Sequence, residues 1–448
     1  LTFDNQSNLP DTTPISIGFF SGPGAVTPDI TNIDTGKPIE TIESSPTGSW
    51  YALSDLSKGV SVEKFSGRIY ICYGEPWVPP AGSSGYEPGQ TPADPNFYLR
   101  YDKLEFTFTG NPNDVADLTS IDYWAIPISI QAMKNGNPVA GECASGLKGD
   151  TTALDIYNAL VALSTPPVSG LPGIPGTDGL PIPALVPGQF QQLGDGPEPG
   201  SNFARIIGPN SYPPLCPQGI PVQPYFTFQE YLTYLLNTFG PGTPVGGTVP
   251  GLGNGVIGNI AGNYAGTATG GSAPPDSGPT SQQAYDMTAT IDGFLNITLS
   301  GTVGSGTGTM FYAKEDLLNP TGIYGGNANF YLEGAGYNTP QNDVYGWIGG
   351  DLFTGMNIGA VGNSQEVGGT QVGAMKSSDW YNLSASDLIA MQNGGNNFNP
   401  WFGTLLPLSD AYNFAYTDRL ENIKVQVSLN PATVDTLQIT LDDTTGVV

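Results

Sequence analysis

The 448-residue chain carries 40 acidic and 13 basic residues, a formal charge of −27, and no histidine. Phosphate backbones and anionic membranes are therefore repelled over most of its surface, while Ser-His-Asp, Cys-His and histidine-zinc chemistry is excluded outright. Acid–base work falls to carboxylates, tyrosines, lysines or a bound metal.

The length allows one large domain or two to three ordinary ones, and two are expected. With 62 Gly and 41 Pro, the chain has the composition of short strands joined by long turns. The acid count is ordinary for this length and only bases are scarce, so a halophilic surface is a poor explanation. Cys72 lies in the apolar run IYICY and is expected as a buried thiol; Cys143 and Cys216 lie in Gly/Pro-rich loops and could pair. No apolar run is long enough to cross a bilayer. The start, LTFDNQSNLPDTTP, has neither a basic nor an apolar leader region and reads as a mature end, with an extracellular location expected. Sequons stand at Asn5, Asn296 and Asn382, a number that chance explains in a chain this rich in Asn, Ser and Thr.

From Ile15 to Ile130, strand-like runs follow one another: PISIGFF, SWYAL, GVSVEKF, GRIYICYG, FYLRYDKLEFTFT and SIDYWAIPISIQAM, punctuated by Gly, Pro, Asn and Asp. A helix is predicted after Asp150, with Leu154, Tyr157 and Val161 on one face before Pro166 and Pro167. Residues 170–181 read as Gly-X-Y triplets but are too few for a triple helix, so an extended loop is expected. A second helix is predicted from a Thr227/Glu230 capping box, with Leu232, Leu235, Leu236 and Phe239 as its apolar stripe and Gly240 at its end. Strands return at ATIDGFLNITLSG and TMFYA, and a third helix is predicted at SASDLIAMQ with Ser384 as N-cap and Gly394 beyond its end. Strands close the chain after Asn413. The pattern gives a mostly β fold with an α+β insertion: residues 1–148 and 405–448 form a β-sandwich or barrel, and 149–404 a mixed α/β domain with long Gly/Pro-rich loops. A cleft between the two is the expected ligand site.

The segment from Asp94 to Ile130 carries the candidate chemistry. Two aromatic and β-branched runs flank the turn residues Gly110 to Asp114, so an antiparallel pair is expected with Glu105 on one strand and Asp122 on the next. Alternation sets Tyr101, Lys103, Glu105, Thr107 and Thr109 on one face, as a polar stripe suited to sugar hydroxyls, and Leu104, Phe106 and Phe108 on the core face with Asp102. Asp122 shares a face with Trp124. Two carboxylates on one side of a sheet can cleave a glycosidic bond: about 5 Å apart as nucleophile and acid, or roughly 6.5–9.5 Å apart around an attacking water. Surface acids more often simply face water. Trp77, Tyr98, Trp124, Trp347 and Trp401 are candidates for stacking on pyranose rings, set against ordinary core packing. Arg100 and Lys103 are the nearest bases, expected to pair with Asp102 or Glu105. No metal or cofactor site is expected; Asp442 and Asp443 lack calcium-loop spacing.

The stretches GRIYICYGEP, DPNFYLRYDKLEFTF and ADLTSIDYWAIPISI resemble glycoside hydrolase family 64, the laminaripentaose-producing β-1,3-glucanases with a thaumatin-like barrel. NFARIIGPN, YFTFQEYLTYLL and LSDAYNFAYTDRL continue the likeness in order. The resemblance implies an inverting hydrolysis with Glu105 as general acid and Asp122 as general base. Phe106, Phe108 and the Asp122 charge are expected to raise the acid's pKa. It also implies contact of Thr107 with sugar; Thr109 stands where family members carry Asn. Tyr98, Lys103, Thr109 and Trp124 complete the expected binding set. The implied partner is β-1,3-glucan, met by a monomer, with neither nucleic acid nor membrane. The readings from other classes are a carbohydrate-binding module without turnover and a filament-forming extracellular protein, the latter suggested by scarce Lys and Arg and long Gly/Pro/Thr loops.

Overall fold

The computed structural model describes residues 1–448 apart from 23–25, 43–48, 84, 164–168, 170–177, 181, 183, 189–202, 213–224, 226, 242–254, 265–282, 320, 335, 339–343, 393–396 and 448. The chain divides into two compact units, one of Leu1–Tyr225, Thr404–Asn413 and Lys424–Val448, the other of Phe226–Gly403 and Phe414–Ile423.

In the first unit the strands are β1 (Thr2–Asn5), β2 (Ile15–Ser21), β3 (Asp29–Asn32), β4 (Trp50–Ala52), β5 (Val60–Tyr73), β6 (Arg100–Phe108), β7 (Val115–Leu118), β8 (Tyr123–Trp124), β9 (Ile128–Lys134) and β10 (Asn137–Ala144). Helix α1 (Ala153–Ala162), β11 (Leu185–Pro187) and β12 (Phe203–Ile207) follow. The second unit holds α2 (Gln229–Phe239), β13 (Val256–Tyr264), β14 (Gln283–Ile291), β15 (Ile297–Val303), β16 (Gly306–Tyr312), α3 (Lys314–Leu317), β17 (Phe330–Leu332), β18 (Gly336–Asn338) and α4 (Val344–Ile358). After these come β19 (Glu366–Val367), β20 (Thr370–Gln371), α5 (Ser377–Trp380), α6 (Ala385–Gln392) and α7 (Pro400–Leu405). The chain then returns to the first unit for β21 (Gln426–Ser428) and β22 (Thr436–Leu441).

The first unit has a three-stranded sheet, β11-β12-β8, and two larger ones. One runs β21-β7-β6-β5-β2-β4, with β3 also on β5, and the other runs β1-β22-β9-β10. Their apolar faces share one core, Ile17, Phe19, Ile69, Ile71, Leu104 and Phe106 from the first sheet with Ile130, Ala132, Ile439 and Leu441 from the second. Alternation explains the arrangement: in β22, TLQITL, each leucine and isoleucine is buried and each polar residue half-buried. The late strands β21 and β22 lie in the first unit's sheets. The division falls elsewhere than at 148/149, because Tyr157 of α1 packs edge-on to Phe203 of β12, and β12 pairs with β8. Residues 149–225 therefore belong with the first unit, and 414–423 with the second.

The helices differ from expectation in detail. α1 buries Ala153, Ile156, Tyr157 and Leu160, one position round from the expected Leu154/Val161 face, and Thr152 caps it through a reciprocal bond with Asp155. Phe228, not Thr227, caps α2, and no side chain bonds there, so the expected capping box is absent. Its stripe is Tyr231, Leu232, Leu235 and Phe239. Ser384 does cap α6, exchanging hydrogen bonds with Asp387. Cys72 is buried and Cys143 exposed; Cys216, most of the Gly-X-Y segment and Gly394 lie outside the described residues. Among the described residues no helix is long and apolar enough to cross a membrane.

Candidate active site

β6 is positioned by two antiparallel neighbours. Its register with β5 sets Ser66 against Thr107, Arg68 against Glu105 and Tyr70 against Lys103, and its register with β7 sets Asp117 against Glu105. Leu104 and Phe106 enter the core as expected. The opposite face is not the open stripe the alternation suggests. Trp77 packs at 5.1 Å from the Tyr70 ring, Tyr123 at 5.4 Å from the Tyr101 ring, and the Arg205 guanidinium lies 4.6 Å from the Tyr101 centroid. Tyr101 and Lys103 are consequently buried, and the face opens only from Glu105 onward, with that side chain 45% exposed and Thr107 half-buried.

Asp122 is not on the strand beside β6. That place belongs to β7, and Asp122 lies in a bend before β8. β6 nevertheless holds this bend from both faces. On one, Lys103 Nζ reaches Asp122 Oδ2 at 2.6 Å. On the other, Asp102 Oδ2 accepts from the N–H groups of Ala125 and Ile126 at 2.8 and 2.9 Å. A turn after β12 completes the cradle: Ser211 Oγ and Asn210 Nδ2 donate to Asp122 Oδ1 at 2.6 and 3.2 Å, and the Gly208 N–H donates to the Asp122 carbonyl at 2.7 Å. A Cβ at Gly208 would stand 2.6 Å from the Ile121 carbonyl oxygen, so this close approach requires glycine.

These partners settle the ionisation of Asp122. Burial pushes its carboxyl up, but the Lys103 charge and the bonds from Lys103, Ser211 and Asn210 outweigh burial and hold it at about 2. Burial pushes Asp102 up to about 7, against the pull of the Ile126, Lys103 and Ala125 N–H groups. Because the Asp122 carboxyl is depressed in the folded state, its stabilising contribution is complete above the ordinary carboxylate range and is lost as pH falls from about 4 to about 2. With its side chain 29% exposed, that contribution is about 1–2 kcal/mol. Lys103→Met is therefore expected to flatten the loss of stability between pH 4 and 2, read from denaturant midpoints; an unchanged profile would mean that Lys103 does not hold the carboxylate.

Glu105 is bound by a residue that the sequence reading missed. Arg68 Nε donates to Glu105 Oε1 at 3.1 Å, and Arg68 Nη1 is paired with Glu87, which also accepts from the Tyr70 hydroxyl. Burial opposes the Arg68 charge, and Glu87, Tyr70 and Glu105 outweigh burial, so the guanidinium stays protonated. Arg68 was legible in GRIYICYG once β5 and β6 were paired in register. Glu87, in the irregular stretch after β5, carries no periodic signal, nor do Asn210 and Ser211.

The remaining candidates are dispersed. Thr107 shares a 3.0 Å hydrogen bond with Ser66 beside Glu105. Thr109 has left the strand, and its N–H and hydroxyl both bond Asp114 in the turn. Trp124 is buried and stacked on Phe203, which removes it from any sugar surface. Tyr98 is half-buried edge-on to Phe97. Trp77 and Trp401 are fully buried, and Trp347 lies against Arg419. Arg100 donates to the carbonyls of Val447 and Ala125, not to Asp102 or Glu105. Among the described residues no group of three His, Cys, Asp or Glu side chains is placed to hold a metal ion.

No protein-family model matches the chain, and no curated protein matches it. Solved structures do. A laminaripentaose-producing β-1,3-glucanase crystallised with laminaritetraose is similar over 99% of this chain and 98% of its own, at 15% identity and a TM-score of 0.51. A β-1,3-glucanase domain (GH64) from Clostridium beijerinckii is similar over 98% of this chain and 97% of its own, at 13% identity and a TM-score of 0.52. The chain adopts the fold of these glucanases. The β-1,3-glucanase fold thus accommodates both units, the seven-stranded sheet that carries Glu105 and the insertion alike. At this identity the likeness bears on architecture, and the chemistry has to be argued from the residues.

Proposed function

We propose that the chain hydrolyses β-1,3-glucan outside the cell by an inverting mechanism, with Glu105 as general acid and Asp122 as general base. One observation carries the reading: Asp122 is bonded to Lys103, the same-face neighbour of Glu105 on β6. Same-face neighbours on a strand stand about 7 Å apart along the backbone, so the ion pair brings Asp122 to the stretch of β6 that carries Glu105, and the inverting reading requires their carboxyls to stand roughly 6.5–9.5 Å apart around a water. The two acids also differ as the roles require. Asp122 is ionised throughout the working range, ready to take a proton from water, while Glu105 is open to an approaching glycosidic oxygen. Arg68 has to swing from Glu105 towards Glu87 as substrate arrives, and Thr107, the next residue on the same face of β6, offers a hydroxyl to a sugar. A glucan polymer cannot cross a membrane, which motivates the extracellular assignment.

The test is incubation of the chain with laminarin or curdlan, following reducing ends and the anomer first released. Oligosaccharides released with inverted configuration are expected. The opposite anomer would overturn the inverting mechanism, and no release would overturn the hydrolase. Binding without turnover has one observation in its favour: both Asp122 oxygens already accept from donors, and Glu105 is bonded to Arg68. It predicts retention on curdlan with no new reducing ends.

A further inference from the structure

The six-stranded sheet of the second unit, β13 to β18 in order, buries one face. Tyr285, Met287, Leu299, Met310 and Tyr312 lie on it, with the Tyr312 ring 5.3 Å from Phe353 of α4. The other face is hydroxyl-rich and laid out in cross-strand rows. Thr288, Ser300 and Thr309 are paired across β14, β15 and β16, and Thr290, Thr298, Phe311 and Tyr331 across β14 to β17. Tyr331 is 44% exposed and its neighbour Phe311 half-buried, so the second row carries an aromatic ledge at β16 and β17. At the opposite edge Asn259 of β13 pairs with Thr288 and lines an open cavity of about 490 Å³ with Thr370, Lys376, Asp379, Asn382 and Asp387.

A solvent-facing sheet ordinarily spends such positions on long charged side chains, which also protect it from unwanted pairing. The described strands of this face carry no cation, and their charges are Asp286 and, just past β17, Glu333. Anionic ligands therefore find nothing to pair with along these strands, Lys376 standing only in the cavity at the edge beside Asp379 and Asp387, and a protein partner finds one apolar ledge too narrow for a desolvated centre. What the face offers is a plane of hydroxyls for hydrogen bonding to hydroxyls and an aromatic surface for a pyranose ring. From β13 to β17 it spans about 19 Å at the usual strand spacing, room for several sugar rings in line. We propose that this face of the second unit is a further carbohydrate-binding surface, holding a neutral polysaccharide chain between the Tyr331 ledge and the Asn259 cavity. It does not depend on Glu105 or Asp122, so a failure of hydrolysis leaves it standing.

The test uses the full chain in depletion assays on curdlan and on cellulose, comparing the parent with Tyr331→Ala and Ser300→Arg. Both sites are solvent-facing, and unchanged melting would establish that the variants fold. The parent is expected to be retained, and each variant to bind about three- to tenfold more weakly, as loss of one aromatic contact implies. Absence of parent retention on both polymers overturns the proposal, as does retention equal to the parent's in both variants. Size-exclusion of the same samples separates the remaining case. A parent that self-associates, and variants that lose retention only because they lose self-association, would assign the face to a second copy and overturn the polysaccharide.

Discussion

Glu105→Gln is expected to lower the rate of laminarin hydrolysis by about 10²–10⁴-fold, the usual worth of a positioned proton donor. The substitution is nearly isosteric and its side chain is 45% exposed, so melting is expected to stay near the parent value and the loss to be chemical. The leaving group discriminates further. An activated aryl glycoside departs without a proton, so Glu105→Gln is expected to keep most of its rate on that substrate. Asp122→Asn is expected to lose rate on both substrates, because attack by water needs a base whatever leaves. It also leaves the Lys103 ammonium, 5% exposed, without its carboxylate, so its kinetics have to be compared well below its own melting temperature. Full turnover by Glu105→Gln on laminarin would remove Glu105 from the acid role. An aryl glycoside rate that falls as far as the laminarin rate would show that the residue acts in binding or positioning.

What the sequence made legible follows from where each signal is local. β6 is a nine-residue strand of β-branched and aromatic residues, and its alternation assigns Leu104 and Phe106 to the core without reference to anything else. Lys103 and Tyr101 share the polar face yet are buried, because their cover comes from Tyr123 and Arg205, whose approach no local pattern encodes. Asp122 was readable as an acid near β6 but not as a bend residue. The short β7 takes the neighbouring place, and Asp122 is positioned by Lys103 and by a turn nearly ninety residues further along. α4 was invisible for another reason. Nearly every residue of VYGWIGGDLFTGMNI is buried, so there is no polar stripe to give a helical period. Its Gly350 and Gly355 are close-approach sites: a Cβ would meet the Arg419 guanidinium at 2.5 Å and the Trp380 ring at 2.3 Å.

That packing gives the second large effect, on stability: Arg419→Met is expected to cost about 3–5 kcal/mol, a fall of roughly 6–20 °C in the melting of the second unit. Asp351 is fully buried and receives the Arg419 guanidinium, the Tyr285 hydroxyl and Ser377 Oγ at 2.5, 2.6 and 2.6 Å, together with the Tyr381 hydroxyl. Arg419 in turn lies 4.0 Å from the Trp347 ring centroid and 4.4 Å from that of Tyr416. The cluster ties β14, α4 and α5 to the 414–423 segment, the piece of chain that returns to this unit after residues 404–413 have joined the other. Methionine keeps the apolar stem against the two rings but strands the Asp351 charge, and a buried carboxylate without its counter-ion is costlier than the pair's absence. The double variant Arg419→Met with Asp351→Leu is therefore expected to be less destabilised than the sum of the two single variants, with a coupling of about 1–3 kcal/mol. Additive losses in that cycle would mean that the three hydroxyl donors, and not the guanidinium, satisfy Asp351.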